Sequence, residues 1–190
     1  MSLPLTLSSS AAARALNLSY VLHAPSDSQQ VSLWLRRQTA AVRQLERAAP
    51  RLSRLDDGEL RRRIVLAPGA ASHQIEPSQP IISLRLGLWE LLPRALGLTF
   101  GARPAVVTLL DDDAPGLSLV DFFRAPARLN FPPPDAFPAR LATLILRPGG
   151  RSLLLEDLPV TSPHELTGRA EDAARRFVDQ WRCARALWPV

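Results

Sequence analysis

The stretch ATLILRPGGRSLLLED, followed at once by TSPHELTGRAEDAARRFVDQWRCARALW, constrains this fold most. Two apolar runs flank a Pro-Gly-Gly turn, and glycine supplies the positive φ that a tight reversal demands. The spacing predicts a β-hairpin over about 141–157. In the segment that follows, Ser162 at the N-cap, Pro163 at N1 and Glu165 at N3 are helix-start signals in register. Leu166, Ala170, Ala173, Phe177, Trp181, Ala184 and Trp188 then fall on one stripe, with Glu165, Glu171 and Asp172 early and Arg182 and Arg185 late. That polarity suits the helix dipole, and the pattern predicts an amphipathic helix over about 163–188. A hairpin packed against a helix is an α+β arrangement.

The remaining chain fits a mixed or antiparallel sheet in one domain covering 1–190. Leu16, Leu18, Tyr20 and Leu22 alternate with other residues and predict a strand over 15–23, with Leu3, Leu5 and Leu7 as an edge strand before it. Ser26 and Gln29 have capping-box spacing and open a helix whose stripe is Val31, Trp34, Leu35, Val42, Leu45 and Ala49, closed by Pro50. Asp56 and Glu59 cap a short helical turn leading into a strand at RRIVLA. Residues 67–80 form a surface connection. Pro80 to Leu98 reads either as a strand passing into a helix or as a buried helix, capped in both cases by Gly97. PAVVTLLDDD reads as a buried strand ending in an exposed acidic turn, and LSLVDFF as a short helix or strand.

Composition excludes several functional classes. At 46% hydrophobic and 22% charged residues the chain folds rather than staying disordered. Its single cysteine, Cys183, rules out an intramolecular disulfide and a multi-cysteine zinc site, which suits a reducing, cytoplasmic setting. The apolar stretch from Ile81 to Phe100 is broken by Arg85, Glu90, Pro93 and Arg94 and cannot span a membrane. The N-terminus lacks a cationic region ahead of its apolar part, so no cleaved signal peptide is expected. Neither a P-loop nor G-x-G-x-x-G occurs, and no cofactor is expected. All 23 basic residues are arginine, giving a net charge of +5. Codon usage in a GC-rich genome explains the absence of lysine, and an alternative is a surface lacking amines for acyl or ubiquitin transfer.

Candidate chemistry is sparse. Asp111, Asp112 and Asp113 follow a predicted strand, where carboxylates at loop tips bind metals in many enzymes, but no partner cluster accompanies them, and an exposed turn with no metal is expected. His23 is placed at a strand end, His73 in a loop and His164 on the solvent side of a helix; none sits in HExxH or beside G-x-S-x-G. Cys183 reads as a packing residue, although Arg182 and Arg185 beside it tend to lower a thiol pKa. Arg61, Arg62 and Arg63 form the densest basic run, close to Arg51 and Arg54. With Arg36, Arg37, Arg43 and Arg47 they predict a cationic face able to meet phosphate or an acidic protein. Among Trp34, Trp89, Trp181 and Trp188, the last is expected to be partly exposed and to join Arg61, Arg62 and Arg63 in binding.

Residues 1–26 carry no acidic side chain and are rich in serine, with Leu3 followed by Pro4. This composition resembles the secretion-signal bias of bacterial type III secreted effectors. The expected function is a non-enzymatic protein-interaction role, as an adaptor or accessory subunit of a larger bacterial assembly, with secretion as one setting. Competing readings are a small enzyme using the carboxylate cluster, nucleic-acid binding through an Arg-rich surface, and a translocated effector.

Overall fold

A computed structural model describes residues 9–69, 79–101, 107–112 and 121–188. Leu3, Leu5 and Leu7, His73 and Asp113 lie outside them, as does most of the 67–80 connection. The architecture is α+β, built on a mixed sheet of five strands with a small separate hairpin.

The predicted hairpin forms as β6 (Ala139–Leu146) and β7 (Leu153–Val160), antiparallel in one unbroken register from Ala139↔Val160 to Leu146↔Leu153. Every residue of β6 is buried, as a strand covered on both faces must be. Short strands complete the sheet: β1 (Ile64–Leu66) pairs parallel to β7, β2 (Ile81–Ser83) parallel to β6, and β3 (Val107–Leu109) parallel to β2. The order is β1-β7-β6-β2-β3, so β1 and β3 are the edges. Strands β4 (Asp121–Phe122) and β5 (Ala125–Pro126) make the separate hairpin.

Side chains of β6 alternate between two apolar clusters. Ala139, Leu141 and Ile145 face one that includes α1 (Ser9–Leu22), α5 (Pro163–Arg176) and the C-terminal segment. Ala142, Leu144 and Leu146 face the other, with α3 (Asp57–Arg63) and α4 (Leu92–Phe100). Helix α2 (Gln29–Ser53), 25 residues and therefore roughly 37 Å long, serves both: Val31 joins the first cluster, and Leu45, Ala48 and Leu52 the second.

Several local expectations are corrected. The segment predicted as a strand over 15–23 is helical as far as Leu22: Ala15, Leu18 and Val21 are buried at helical spacing, and Tyr20 and Leu22 are partly buried against the same cluster. Helix α2 is capped by Ser28, whose hydroxyl accepts from Val31 N–H at 3.2 Å, rather than by Ser26, and it runs through Pro50 to Ser53. The helical turn before a strand holds as α3 and β1, with Asp56 accepting from Glu59 N–H at 2.7 Å. Pro80 to Leu98 is a strand passing into a helix, and the residue that closes α4 is Gly101 in left-handed conformation, not Gly97.

The C-terminal helix begins at the predicted cap, where the Ser162 hydroxyl accepts from Glu165 N–H at 3.2 Å. It stops at Arg176, well short of Trp188, and the chain continues through a 3₁₀ turn (Val178–Gln180) into irregular backbone. Buried amides hold that segment in place. Gln38 of α2 donates to the carbonyls of Val178 and Trp181, and Asn17 of α1 donates to that of Arg185 and accepts from Leu187 N–H. Gln180 exchanges two bonds with the backbone of Leu146, and Arg182 N–H donates to Arg85 C=O. These partners supply the backbone bonds that continued helix would otherwise make.

At the helix start, Glu165 accepts from the backbone and hydroxyl of Thr161, both at 2.8 Å, and pairs with Arg169. Those donors, the Thr161 N–H foremost, pull its pKa from an ordinary 4.5 down to about 2. Because the folded value is depressed, the contact stabilises fully above the ordinary range and is lost as pH falls toward 2. An NMR titration of the Glu165 carboxyl should give a midpoint about 2; an ordinary glutamate midpoint would show the cap contact absent in solution.

Candidate functional site

Most candidate reactive groups are used inside the fold. Asp111, expected in an exposed turn, is 1% exposed: its Oδ1 accepts from Arg85 N–H and its Oδ2 from the Trp181 indole N–H, both at 2.8 Å. Burial pushes its pKa up, against the opposing pull of those two bonds. Asp112 instead pairs with the Arg85 guanidinium. Asp111 thus binds the backbone of Arg85 and Asp112 its side chain, and among the described residues no three His, Cys, Asp or Glu side chains gather closely enough to hold a metal.

Cys183 is buried, and burial, with Asp111 second, pushes its thiol pKa up and outweighs the expected downward pull, which comes from Arg185 and not from Arg182. Arg182 pairs with Glu90 and Arg185 donates to the Arg128 carbonyl. This thiol packs in the apolar core. His23, at the end of a helix rather than a strand, and His164 are both exposed.

Trp188, expected to be partly exposed, is 1% exposed. Its ring stacks on Tyr20 with centroids 4.1 Å apart and lies 6.1 Å from Phe122, while its indole N–H donates to Ala125 C=O at 3.1 Å. It is an anchor of the core that ties the C-terminal segment to α1 and the small hairpin. As a surface binding residue it is withdrawn.

The arginine run is placed differently. Arg61 and Arg62 are exposed and Arg63 is half-buried in the last turn of α3, directly before edge strand β1. Arg61 donates to the Leu98 carbonyl. Parallel pairing of Ile64 with Leu153 brings the β6–β7 turn beside the same end of β1. A cleft of about 500 Å³ opens there, between the C-terminal half of α2, Arg63 and Gly149–Arg151. Three arginines line it, Arg51, Arg63 and Arg151, with Arg51 Nε donating to the Arg47 carbonyl at 3.1 Å.

Six arginines elsewhere are committed to carboxylates, while others such as Arg36, Arg43 and Arg47 form no ion pair among the described residues. Arg85 pairs with Asp112, Arg94 with Asp57, Arg140 with Asp157, Arg169 with Glu165, Arg176 with Glu156 and Asp172, and Arg182 with Glu90. Among the described residues, no carboxylate forms an ion pair with Arg51, Arg63 or Arg151. Among the described residues that line the cleft none is acidic and three are arginine, so its lining is positively charged.

Beside it, β1 offers an apolar edge. Val65 is 40% and Leu66 43% exposed, and among the described residues no strand pairs with the side of β1 away from β7. In a parallel ladder alternate residues turn their N–H and C=O to the same neighbour. Ala67 N–H donates to Leu155 C=O at 3.0 Å, so Val65 also faces β7 and Leu66 turns its N–H and C=O outward. The charge of Arg61–Arg63 and Arg51 is plain in the sequence, whereas Arg151 and the open edge are not, because only the β1–β7 pairing brings them together.

No family model matches the chain, and no curated protein matches it. Among the described residues no helix is long and apolar enough to cross a membrane.

Proposed function

We propose that this is a non-enzymatic protein-interaction protein, an adaptor or accessory subunit of a larger bacterial assembly, that docks its partner along the β1 edge. The observation that carries this reading is the exposed apolar strand Ile64–Leu66, unpaired on one side among the described residues and bordered by Arg61–Arg63. An open edge is a template for another chain's strand, and proteins ordinarily blunt or cover one. The inward use of Asp111, Cys183 and Trp188 supports the same conclusion, since these three candidates already have structural tasks.

The test compares the full-length chain with a Val65→Lys, Leu66→Lys variant as baits in host extract. Both positions are solvent-exposed, so the variant should fold with a stability change below about 1 kcal/mol, checked by circular dichroism. A discrete partner held by the parent and released by the variant is expected. Equal retention by both, or no partner at any salt with a monodisperse monomer by light scattering, contradicts the proposal.

Nucleic-acid binding is the second reading, favoured by the arginines that lack acidic partners. It requires steeply salt-dependent binding that falls when Arg61, Arg62 and Arg63 become Gln. Exposed Val65 and Leu66 favour the protein reading, because apolar side chains beside an open ladder add nothing to phosphate binding.

A further inference from the structure

Resting on the reading of β1 as a docking edge, we infer the chemistry of the partner: an acidic, extended segment adds to β1 as a further strand, and its carboxylates enter the cleft lined by Arg51, Arg63 and Arg151. Main-chain pairing comes from Leu66, whose N–H and C=O face away from β7, and side-chain contact from Val65 and Leu66. Charge selection comes from the cleft at the N-terminal end of the strand. Arg63 immediately precedes β1, and Arg151 lies just before Leu153, the partner of Ile64 across the ladder. Arg63 therefore belongs both to the cleft and to the start of the strand, so a segment paired along β1 has one end beside it.

The charge also says what does not dock. A second copy of this chain pairing parallel to β1 would set another Arg61–Arg63 run against the first, and like charges oppose that approach, while an antiparallel copy would bring Ala67, Pro68 and Gly69 to that end and no carboxylate. An acidic strand meets complementary charge instead, and arginine's planar donor fork suits carboxylates in particular. The arginines involved give up no existing ion pair among the described residues.

The inference is tested on the full chain by fluorescence anisotropy with defined probes. These are a short labelled peptide of alternating valine and glutamate, its valine–glutamine counterpart, a backbone N-methylated form of the acidic peptide, and labelled oligothymidylate. The acidic peptide should bind about tenfold more tightly than the glutamine peptide, the summed effect of a few partly solvated ion pairs. An Arg51→Gln, Arg63→Gln, Arg151→Gln variant should lose about the same factor, and all three changes lie at the rim of the fold, where folding is checked by circular dichroism. N-methylation keeps the charge but blocks the ladder, and should abolish tight binding.

Equal affinity for the acidic and glutamine peptides overturns the acidic-ligand inference while leaving β1 docking intact. Unimpaired binding of the N-methylated peptide overturns strand addition. Oligothymidylate binding more tightly than the acidic peptide at the same salt overturns the inference in favour of nucleic acid. Should none of the peptides bind the parent chain, the inference falls, and the retention experiment with the Val65 and Leu66 variant decides the docking reading separately.

Discussion

Alanine at Gly87 is expected to destabilise the protein by about 4 kcal/mol or more, enough to remove much of a marginal domain's stability. Gly87 sits at φ +55° where the chain after β2 runs on beside β6, in a parallel bridge with Leu144. Its N–H donates to Gln180 C=O at 3.1 Å, and the next residue, Leu88, donates to Leu144 C=O at 2.8 Å. A Cβ there would fall far inside contact distance of the Leu144 carbonyl oxygen and 3.0 Å from Ile145 Cα, both backbone atoms of the central strand. Backbone in a fully buried strand cannot move aside as a flexible side chain can, so the clash adds to the strain of positive φ. Gly149 is the internal control: it has φ +86°, and a methyl group on its Cα would meet nothing within 4 Å, so its alanine variant should cost only about 1 kcal/mol. Urea denaturation of the two variants measures the difference. Equal shifts in midpoint would mean that the close approach at Gly87 does not exist in solution.

The second large effect is expected at Asp157. Arg140 on β6 and Asp157 on β7 are 3% and 0% exposed and form a bidentate pair, with Arg140 Nε 2.8 Å from Oδ1 and a second contact to Oδ2. They sit on the sheet face that carries Leu153 and Leu155, with Phe100 of α4 over the guanidinium at 5.8 Å. Asp157→Ala leaves a cation buried without its counter-charge and should cost about 3–5 kcal/mol. Replacing both partners together, Arg140→Met with Asp157→Leu, removes the desolvation problem and should recover most of that loss. Urea midpoints of the single and double variants check this. A single variant within about 1 kcal/mol of the parent would show that the pair is solvated.

Legibility from sequence followed the range of the interactions involved. The hairpin, the start of α5, most of α2 and the α3–β1 passage were readable because turn glycines, caps and periodic burial act within a few residues. Helix α1 was misread because it packs on α2, α5 and the C-terminal segment at once; apolar residues then occur on more than one side and imitate period two. The end of α5 was misread because nothing between Phe177 and Trp188 breaks a helix locally. What ends it are bonds from Asn17, Gln38 and Gln180, made across the fold. A run of three aspartates reads as solvated, yet Asp111 turns inward because Trp181, 70 positions away, presents its indole N–H there. The candidate site was half readable. Arg51 and Arg61–Arg63 stand out as charge, but Arg151 reaches them only through a parallel strand pair, which leaves no local mark in the sequence.

Amide hydrogen exchange at Leu66, compared between the free chain and its complex with the partner retained from host extract, tests the docking surface most directly. Strand addition predicts marked slowing at Leu66, whose N–H points away from β7, with protection centred on Ile64–Leu66. Unchanged exchange at Leu66, with protection appearing instead around the exposed Leu33 on the first turns of α2, would place the interface elsewhere and contradict the account.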